Sequence, residues 1–248
     1  MSTLRPALAD LLAYLGEMGY GDLYLNPPRR AASLHPSVHT EPPPAAIAPP
    51  PAPLDGEAAV RAAELNALAA TAAACTRCRL AEGRHKVVFG CGNPSAELMF
   101  VGEGPGADED RQGLPFVGAA GELLTRIIQA IEMTREQVYI ANVVKCRPPG
   151  NRDPQPDEVA ACRGYLEKQI ALVRPKILVA LGKVAAQTLL GNDAPIGRMR
   201  GQWHQVQGIP TMVTYHPAAL LRNPALKRPT WEDIQQVRDH LRELSQNA

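Results

Sequence analysis

Five cysteines stand in this chain, and four of them fall into two pairs: Cys75-Thr-Arg-Cys78 and, far downstream, Cys146 and Cys162. Thiolates two residues apart clasp one corner of a metal site, and a distant second pair closes it only when folding brings the segments together. The grouping predicts a metal centre that is part of the fold. Four thiolates suit structural zinc or an iron–sulfur cluster. The 15 residues between Cys146 and Cys162, spanning a loop and a helix, favour iron–sulfur over the two tight pairs common in zinc sites. Cys91 lies outside the pattern and reads as a small buried or half-buried thiol.

Other residue types with chemical capacity sit in short polar segments. Glycines at 102, 104 and 106 let backbone N–H groups approach a ligand, although Pro105 and the acids that follow break any nucleotide fingerprint. Asp108, Glu109 and Asp110 have the composition of a helix start, and also of a metal ligand or base. Phe116, held in Gly113-Leu-Pro-Phe-Val-Gly118, is one of only three phenylalanines and is placed for contact or as a cap on the core. Asn142 is polar within an apolar run, so its amide must tie down a loop or read a ligand with the complementary donor and acceptor. His216 directly precedes Pro217, and Leu220-Leu-Arg-Asn-Pro224 joins apolar side chains to a positive charge, as a wedge into a base stack would.

These segments need a frame. Four apolar runs read as strands: Glu97 to Gly102, Val138 to Val144, Lys176 to Gly182 and Ile209 to Tyr215. Helical spacing covers Glu57 to Ala74, Gly118 to Met133, a stretch opening at Pro156-Asp-Glu, the segment ending at Leu190, and Trp231 to Leu244. Strands alternating with helices predict a three-layer α/β/α sandwich with a mostly parallel, four-stranded central sheet. Ligands of such sheets bind beyond the carboxyl ends of the strands, which is where the polar segments after Gly102, Val144 and Tyr215 fall.

At 248 residues the chain is long enough for one good-sized domain with appendages and a core that needs no disulfides. Residues 1–25 contain a short amphipathic helix over 3–19, with Leu4, Leu8, Leu11, Leu12 and Leu15 on one stripe. Residues 26–56 are a proline- and alanine-rich linker, since ten of the 24 prolines lie between Asn26 and Asp55 among few core formers. The domain proper is expected over 57–248. The amino terminus has no basic region leading into an apolar run, and no stretch approaches the roughly 20 apolar residues of a membrane span, so a reducing cytoplasm is expected. The formal charge is only +1, yet Ala194 to Pro229 holds no acid and five cations, Arg198, Arg200, Arg222, Lys227 and Arg228. Such a stretch is a solvated face or a surface for a phosphate backbone.

Together these segments resemble the family 4 uracil-DNA glycosylases, the bacterial and archaeal iron–sulfur class. The resemblance rests on Cys75-Thr-Arg-Cys78, Gly102-Glu-Gly-Pro-Gly with Glu109-Asp110, Gly113-Leu-Pro-Phe-Val-Gly, Asn142-Val-Val-Lys-Cys-Arg-Pro-Pro149, Cys162, and His216-Pro with Leu220-Leu-Arg-Asn-Pro, in that order. It runs from about Cys75 to the end and leaves the first 70 residues without a counterpart. It implies a [4Fe-4S] cluster on Cys75, Cys78, Cys146 and Cys162, with Cys91 free. It implies a uracil pocket involving Glu103 and Gly104, in which Phe116 stacks on the flipped base and the Asn142 amide pairs with N3–H and O4. His216 would hold O2 and stabilise the leaving anion. In the best-known glycosylase family an aspartate that positions water stands where this chain has Gly104, so Glu109 is the remaining candidate to orient water. Leu221, Arg222, Arg200 and Lys227 would contact DNA, single- or double-stranded, and simple release of uracil, the first step of base excision repair, is expected. The implied enzyme is a monomer acting on bacterial nucleoid DNA, with the N-terminal segment a candidate docking point for a repair or replication protein. A DNA-binding module serving a polymerase would keep the cysteines and lose Asn142 and His216; a redox carrier would have no use for Phe116, Asn142 and His216 together.

Overall fold

A computed structural model describes residues 56–246. The helix expected over residues 3–19 and the linker over 26–56 lie outside the described residues, except for Gly56, which opens helix α1, Gly56–Ala73. After α1 and the short α2, Leu80–Gly83, come strand β1, Cys91–Gly92, and β2, Leu98–Gly102. There follow α3, Ala107–Gln112; α4, Ala119–Ala130; β3, Tyr139–Asn142; α5, Pro156–Val173; β4, Ile177–Leu181; α6, Lys183–Leu190; and α7, Ile196–Met199. The chain ends in β5, Trp203–Val206; β6, Ile209–Thr214; α8, Pro217–Arg222; and α9, Lys227–Gln246.

The sheet has six strands in the order β1-β3-β2-β4-β6-β5. Its four inner strands are the four expected from the sequence, and they run parallel. Leu-Met-Phe-Val-Gly of β2 and Ile-Leu-Val-Ala-Leu of β4 are buried throughout, as strands covered on both faces must be. Alternation then sorts their side chains. Met99, Val101, Leu178, Ala180 and Val213 pack with Leu65 of α1, Leu166 and Ile170 of α5 and Ala185 of α6. Leu98, Phe100, Ile177, Val179 and Met212 meet Leu124 and Ile128 of α4 and Ile234, Val237 and Leu241 of α9. Each fully buried Leu, Ile or Val contributes roughly 1.5–3 kcal/mol, so both outer layers are fastened by the same strands. This is the expected α/β/α sandwich.

The sheet corrects the expected strand count by adding two short antiparallel edges. β1 pairs Cys91 with Ile140 and Gly92 with Tyr139, and two residues carry no periodic signal. β5 pairs with β6 through a hairpin whose two loop residues, Gln207 and Gly208, have φ of 52° and 79°. That is the left-handed pair such tight hairpins require, and only Gly208 of the two advertises it in sequence. The last helix starts at Lys227 rather than Trp231. Pro229 falls in its first turn, where a missing N–H costs nothing because the first four have no intrahelical partner.

Candidate active site and metal centre

A cavity of ≈ 320 Å³ opens at the carboxyl ends of β2, β3 and β6, where the loops of a parallel sheet converge. The β2 loop brings Glu103, Gly104 and Pro105; β3 ends in Asn142; the β6 end brings His216, with Ala218 and Arg222 on α8. Phe116 and Glu109 complete the inner wall. Thus the expected pocket residues Glu103, Gly104, Phe116, Asn142, Glu109 and His216 all meet. Not singled out from sequence were Asn151, Arg152 and Asp153, which line the same cavity; their one signal was the Pro148-Pro-Gly-Asn-Arg152 break at a strand's carboxyl end.

His216 caps α8, and its Nδ1 accepts the Ala218 N–H at 3.1 Å. Burial, reinforced by the Arg222 charge and opposed by Glu109, pushes its pKa down to about 4. The ring is therefore neutral near pH 7. With Nδ1 committed as acceptor, its proton resides on Nε2, which is a donor.

Phe116 is buried with φ 53°, a conformation that costs a bulky residue of order 1–3 kcal/mol. Its ring lies 5.4 Å from that of His216 at 30°. The floor beneath is Gly102, where a Cβ would stand 2.5 Å from Asn142 Oδ1 and 2.6 Å from Phe116 Cζ. Only a residue without a side chain lets ring and amide share that strand end. Glu109 holds the strained loop in place. Its Oε1 accepts from the Val117 and Gly118 N–H groups at 2.9 and 3.1 Å, and its Oε2 accepts from Gly106 N at 3.0 Å. The expectation that Glu109 orients water thus meets a carboxylate with three of about four acceptor positions already filled by backbone.

Asn142 is 1 % exposed, and its Oδ1 has no hydrogen-bond partner. An orphaned buried acceptor costs about 1–3 kcal/mol, so its retention in a cavity wall points to a ligand N–H. Burial, with the Asp153 charge added and Lys183 and Arg222 opposing, raises Glu103 to about 7. Near neutrality it is a mixture of acid and carboxylate. The rim is pinned from behind, because Arg152 donates to both oxygens of buried Glu158 at 2.7 and 2.8 Å. Glu158 also accepts from Arg79, one residue past Cys78, and these bonds hold it down at about 2.

Of the expected DNA contacts, Leu221 is exposed and Arg222 stands at the cavity mouth, with Lys227 at the start of α9. Arg200 is already engaged within the fold. Its guanidinium pairs with fully buried Asp233, donates to Pro229 O at 2.7 Å and lies over the Tyr215 ring, so it fastens α9 to the sheet instead of facing outward.

Cys75 and Cys78 follow α1, Cys146 follows β3 and Cys162 lies in α5, and the four thiols line one second cavity. Arg84 Nη1 and the Lys145 backbone N–H each donate to a sulfur, Cys146 and Cys162 respectively, at 3.3 Å. Arg77 and Arg84 give this cavity two cations, and Lys145, which burial lowers to about 7, lines it as well. Cys91 stands apart in β1, with burial raising its thiol. Among the described residues no three of His, Cys, Asp or Glu close tightly enough around a point to hold a single ion.

The family model of the uracil DNA glycosylase superfamily matches residues 89–235. The chain is 47 % identical over 174 residues to the type-4 uracil-DNA glycosylase of Sulfurisphaera tokodaii, covering 66 % of this chain and 79 % of that one. It is 44 % identical over 174 residues to the type-4 enzyme of Thermotoga maritima, covering 68 % and 90 %. The type-4 enzyme of Archaeoglobus fulgidus is 43 % identical over 171 residues, covering 66 % and 86 %.

Proposed function

The chain belongs to the type-4 uracil-DNA glycosylases and excises uracil from DNA in repair, and on that premise we infer that Asn142 reads the flipped base while His216 stabilises its departure. The observation that carries this reading is the unpaired Asn142 Oδ1. Uracil offers it N3–H, and the amide nitrogen can donate to O4. Cytosine presents an acceptor at position 3 and an amino group at position 4, which would leave both ends of a buried amide unpaired. Mismatch of this kind gives discrimination on the order of 10⁴–10⁵-fold. Phe116 supplies a stacking face, worth roughly 1–3 kcal/mol per base.

Cleavage of the glycosidic bond puts negative charge on uracil and oxocarbenium character on the sugar; water then adds hydroxide to C1′ and the uracil anion takes up the proton. The neutral His216 donates Nε2–H to O2, a bond that strengthens as the charge grows and so acts on the transition state more than on the bound substrate. Glu109 braces the Phe116 loop and leaves the water's activation to the cavity as a whole. Arg222 and Lys227 attract the phosphate backbone of single- or double-stranded DNA, and Leu221 fills the gap left by the flipped base.

The four thiols line one cavity, and backbone and guanidinium N–H groups already point at two of the sulfurs, which supports a [4Fe-4S] cluster there. Such a cluster ties α1, the β3 loop and α5 together and supplies a structural brace. Among the described residues no helix is long and apolar enough to cross a membrane, and a monomer acting in the cytoplasm fits the reading. Incubation with a single-uracil oligonucleotide, single- and double-stranded, without added metal, should release free uracil and leave an alkali-labile abasic site; no release from either substrate would overturn it.

A further inference from the structure

Asn142 has no protein partner for the oxygen that reads the base, so the amide's place is set by the backbone behind it. That backbone is held by an unusual group. The Asn142 carbonyl, at the last residue of β3, accepts from Lys145 Nζ at 2.7 Å, and the same amino group donates to Gln169 Oε1 of α5. Gln169 Nε2 donates in turn to Phe89 O at 2.9 Å and Tyr139 Oη at 3.2 Å, and the Phe89 ring lies 5.8 Å from Nζ. Lys145 and Gln169 are 2 % and 0 % exposed.

A buried lysine amine bonded to neutral oxygens and lying over a ring face is costly to keep charged, so burial lowers it to about 7, and an apolar side chain of equal length would normally serve a core better. Here it bridges two things the fold must align. At the other end of the residue, Lys145 N donates to Cys162 Sγ, two helical turns before Gln169 on α5, and Val88 N donates to Lys145 O at 2.8 Å. Residues 142–145 are thereby folded back on themselves between the base-reading asparagine and the thiol Cys146.

We propose that Lys145 is a positioning residue for uracil recognition: with Gln169 it locks the Asn142 backbone to the helix that carries Cys162, so that the thiolate centre and the base-reading amide move as one body. The proposal rests on Asn142 reading the base. The test is a double-mutant cycle on the full chain with a single-stranded uracil oligonucleotide under single-turnover conditions. Lys145→Met keeps the length and apolar stem and removes the donors. It should lower the excision rate roughly 10- to 100-fold, the cost of a small misplacement at a reacting centre, with affinity for the uncleaved DNA changed less than threefold and the visible absorbance of the proposed iron–sulfur cluster retained. Because Lys145 acts through Asn142, Asn142→Ala/Lys145→Met should be no slower than Asn142→Ala alone. Multiplicative losses in the double variant, or an unchanged rate in Lys145→Met, would overturn the proposal while leaving the role of Asn142 intact. A wild-type rate in Asn142→Ala would overturn both. If Lys145→Met fails to fold, Gln169→Leu, which leaves the lysine and every cysteine in place, enters the same cycle with the same criteria.

Discussion

Replacing Glu109 by glutamine separates a brace from a base. The carboxylate accepts three backbone N–H groups, two on Oε1 and one on Oε2. Glutamine keeps one acceptor atom and turns the other into a donor. If its oxygen stays with Val117 and Gly118, its amide N–H₂ faces the Gly106 N–H, which is orphaned at a cost of about 1–3 kcal/mol. The two bonds that survive lose their charge assistance, roughly half their strength. The sum is about 2–4 kcal/mol, which in a domain of this size corresponds to a fall in Tm on the order of 5–15 °C at 2–4 °C per kcal/mol. Phe116, held at φ 53° by the same loop, should lose its fixed place and turnover should fall along with stability. Thermal unfolding and single-turnover excision measured on the same preparation decide the matter. A loss of 10²–10⁴ in rate with an unchanged Tm would mean that Glu109 moves a proton or orients water, and the brace would be wrong.

His216→Ala should slow excision by about 10²–10³-fold, the value of one donor to a developing oxyanion, while binding of uncleaved DNA changes little; because the folded ring titrates at about 4, wild-type turnover should show no inflection near 6.5. Asn142→Asp should weaken excision of uracil and raise that of cytosine relative to it, measured with paired oligonucleotides differing in one base. Glu103 titrates at about 7, is neutral below that and anionic above, so excision should decline as pH rises through 7 and Glu103→Gln should flatten the decline. The same raised value means stability is fully present below about 4.5 and falls as pH rises toward 7, so the Tm of Glu103→Gln relative to wild type should be higher at pH 8 than at pH 5. Arg222→Ala should reduce the slope of log affinity against log salt by about one, and an unchanged slope would remove it from the phosphate contacts.

The four inner strands were legible because burial on both faces leaves continuous apolar runs, and the site residues were legible because each sits just past such a run. β5 was not: Trp-His-Gln-Val is an edge strand with one buried residue, and its polar side chains read as loop. The ion pair of Arg200 was not legible for a related reason. A run of cations without acids looks like one surface, but its partner Asp233 lies 33 residues on, in a helix that only the tertiary fold brings near. Asp153 and Arg152 escaped notice because their ion pairs depend on Lys183, at the start of α6, and on Glu158, in the first turn of α5. The roles of Lys145 and Gln169 had no sequence signal, since a lysine between apolar residues and a cysteine is ordinary until its ammonium is found sealed against a carbonyl.

The arrangement of charge explains why such supports are needed. Glu109 is bonded to backbone, and the other carboxylates lining the cavity are Glu103, raised to about 7, and Asp153, paired with Lys183, so in the proposed mechanism the pull on the bond comes from the uracil side. One oxyanion donor accounts for about 2.7–4 kcal/mol, well short of the 8 kcal/mol or more by which enzymes lower barriers. An imidazolium would pull harder, but burial and Arg222 both hold His216 neutral. The remainder must come from holding the base where that single dipole acts without water in competition. Strain at Phe116, a half-buried carboxylate committed to its loop and a sealed lysine amine behind Asn142 are each unfavourable for stability taken alone. In the proposed mechanism each fixes one of the groups assigned to the base, which is what a site working through one neutral donor requires.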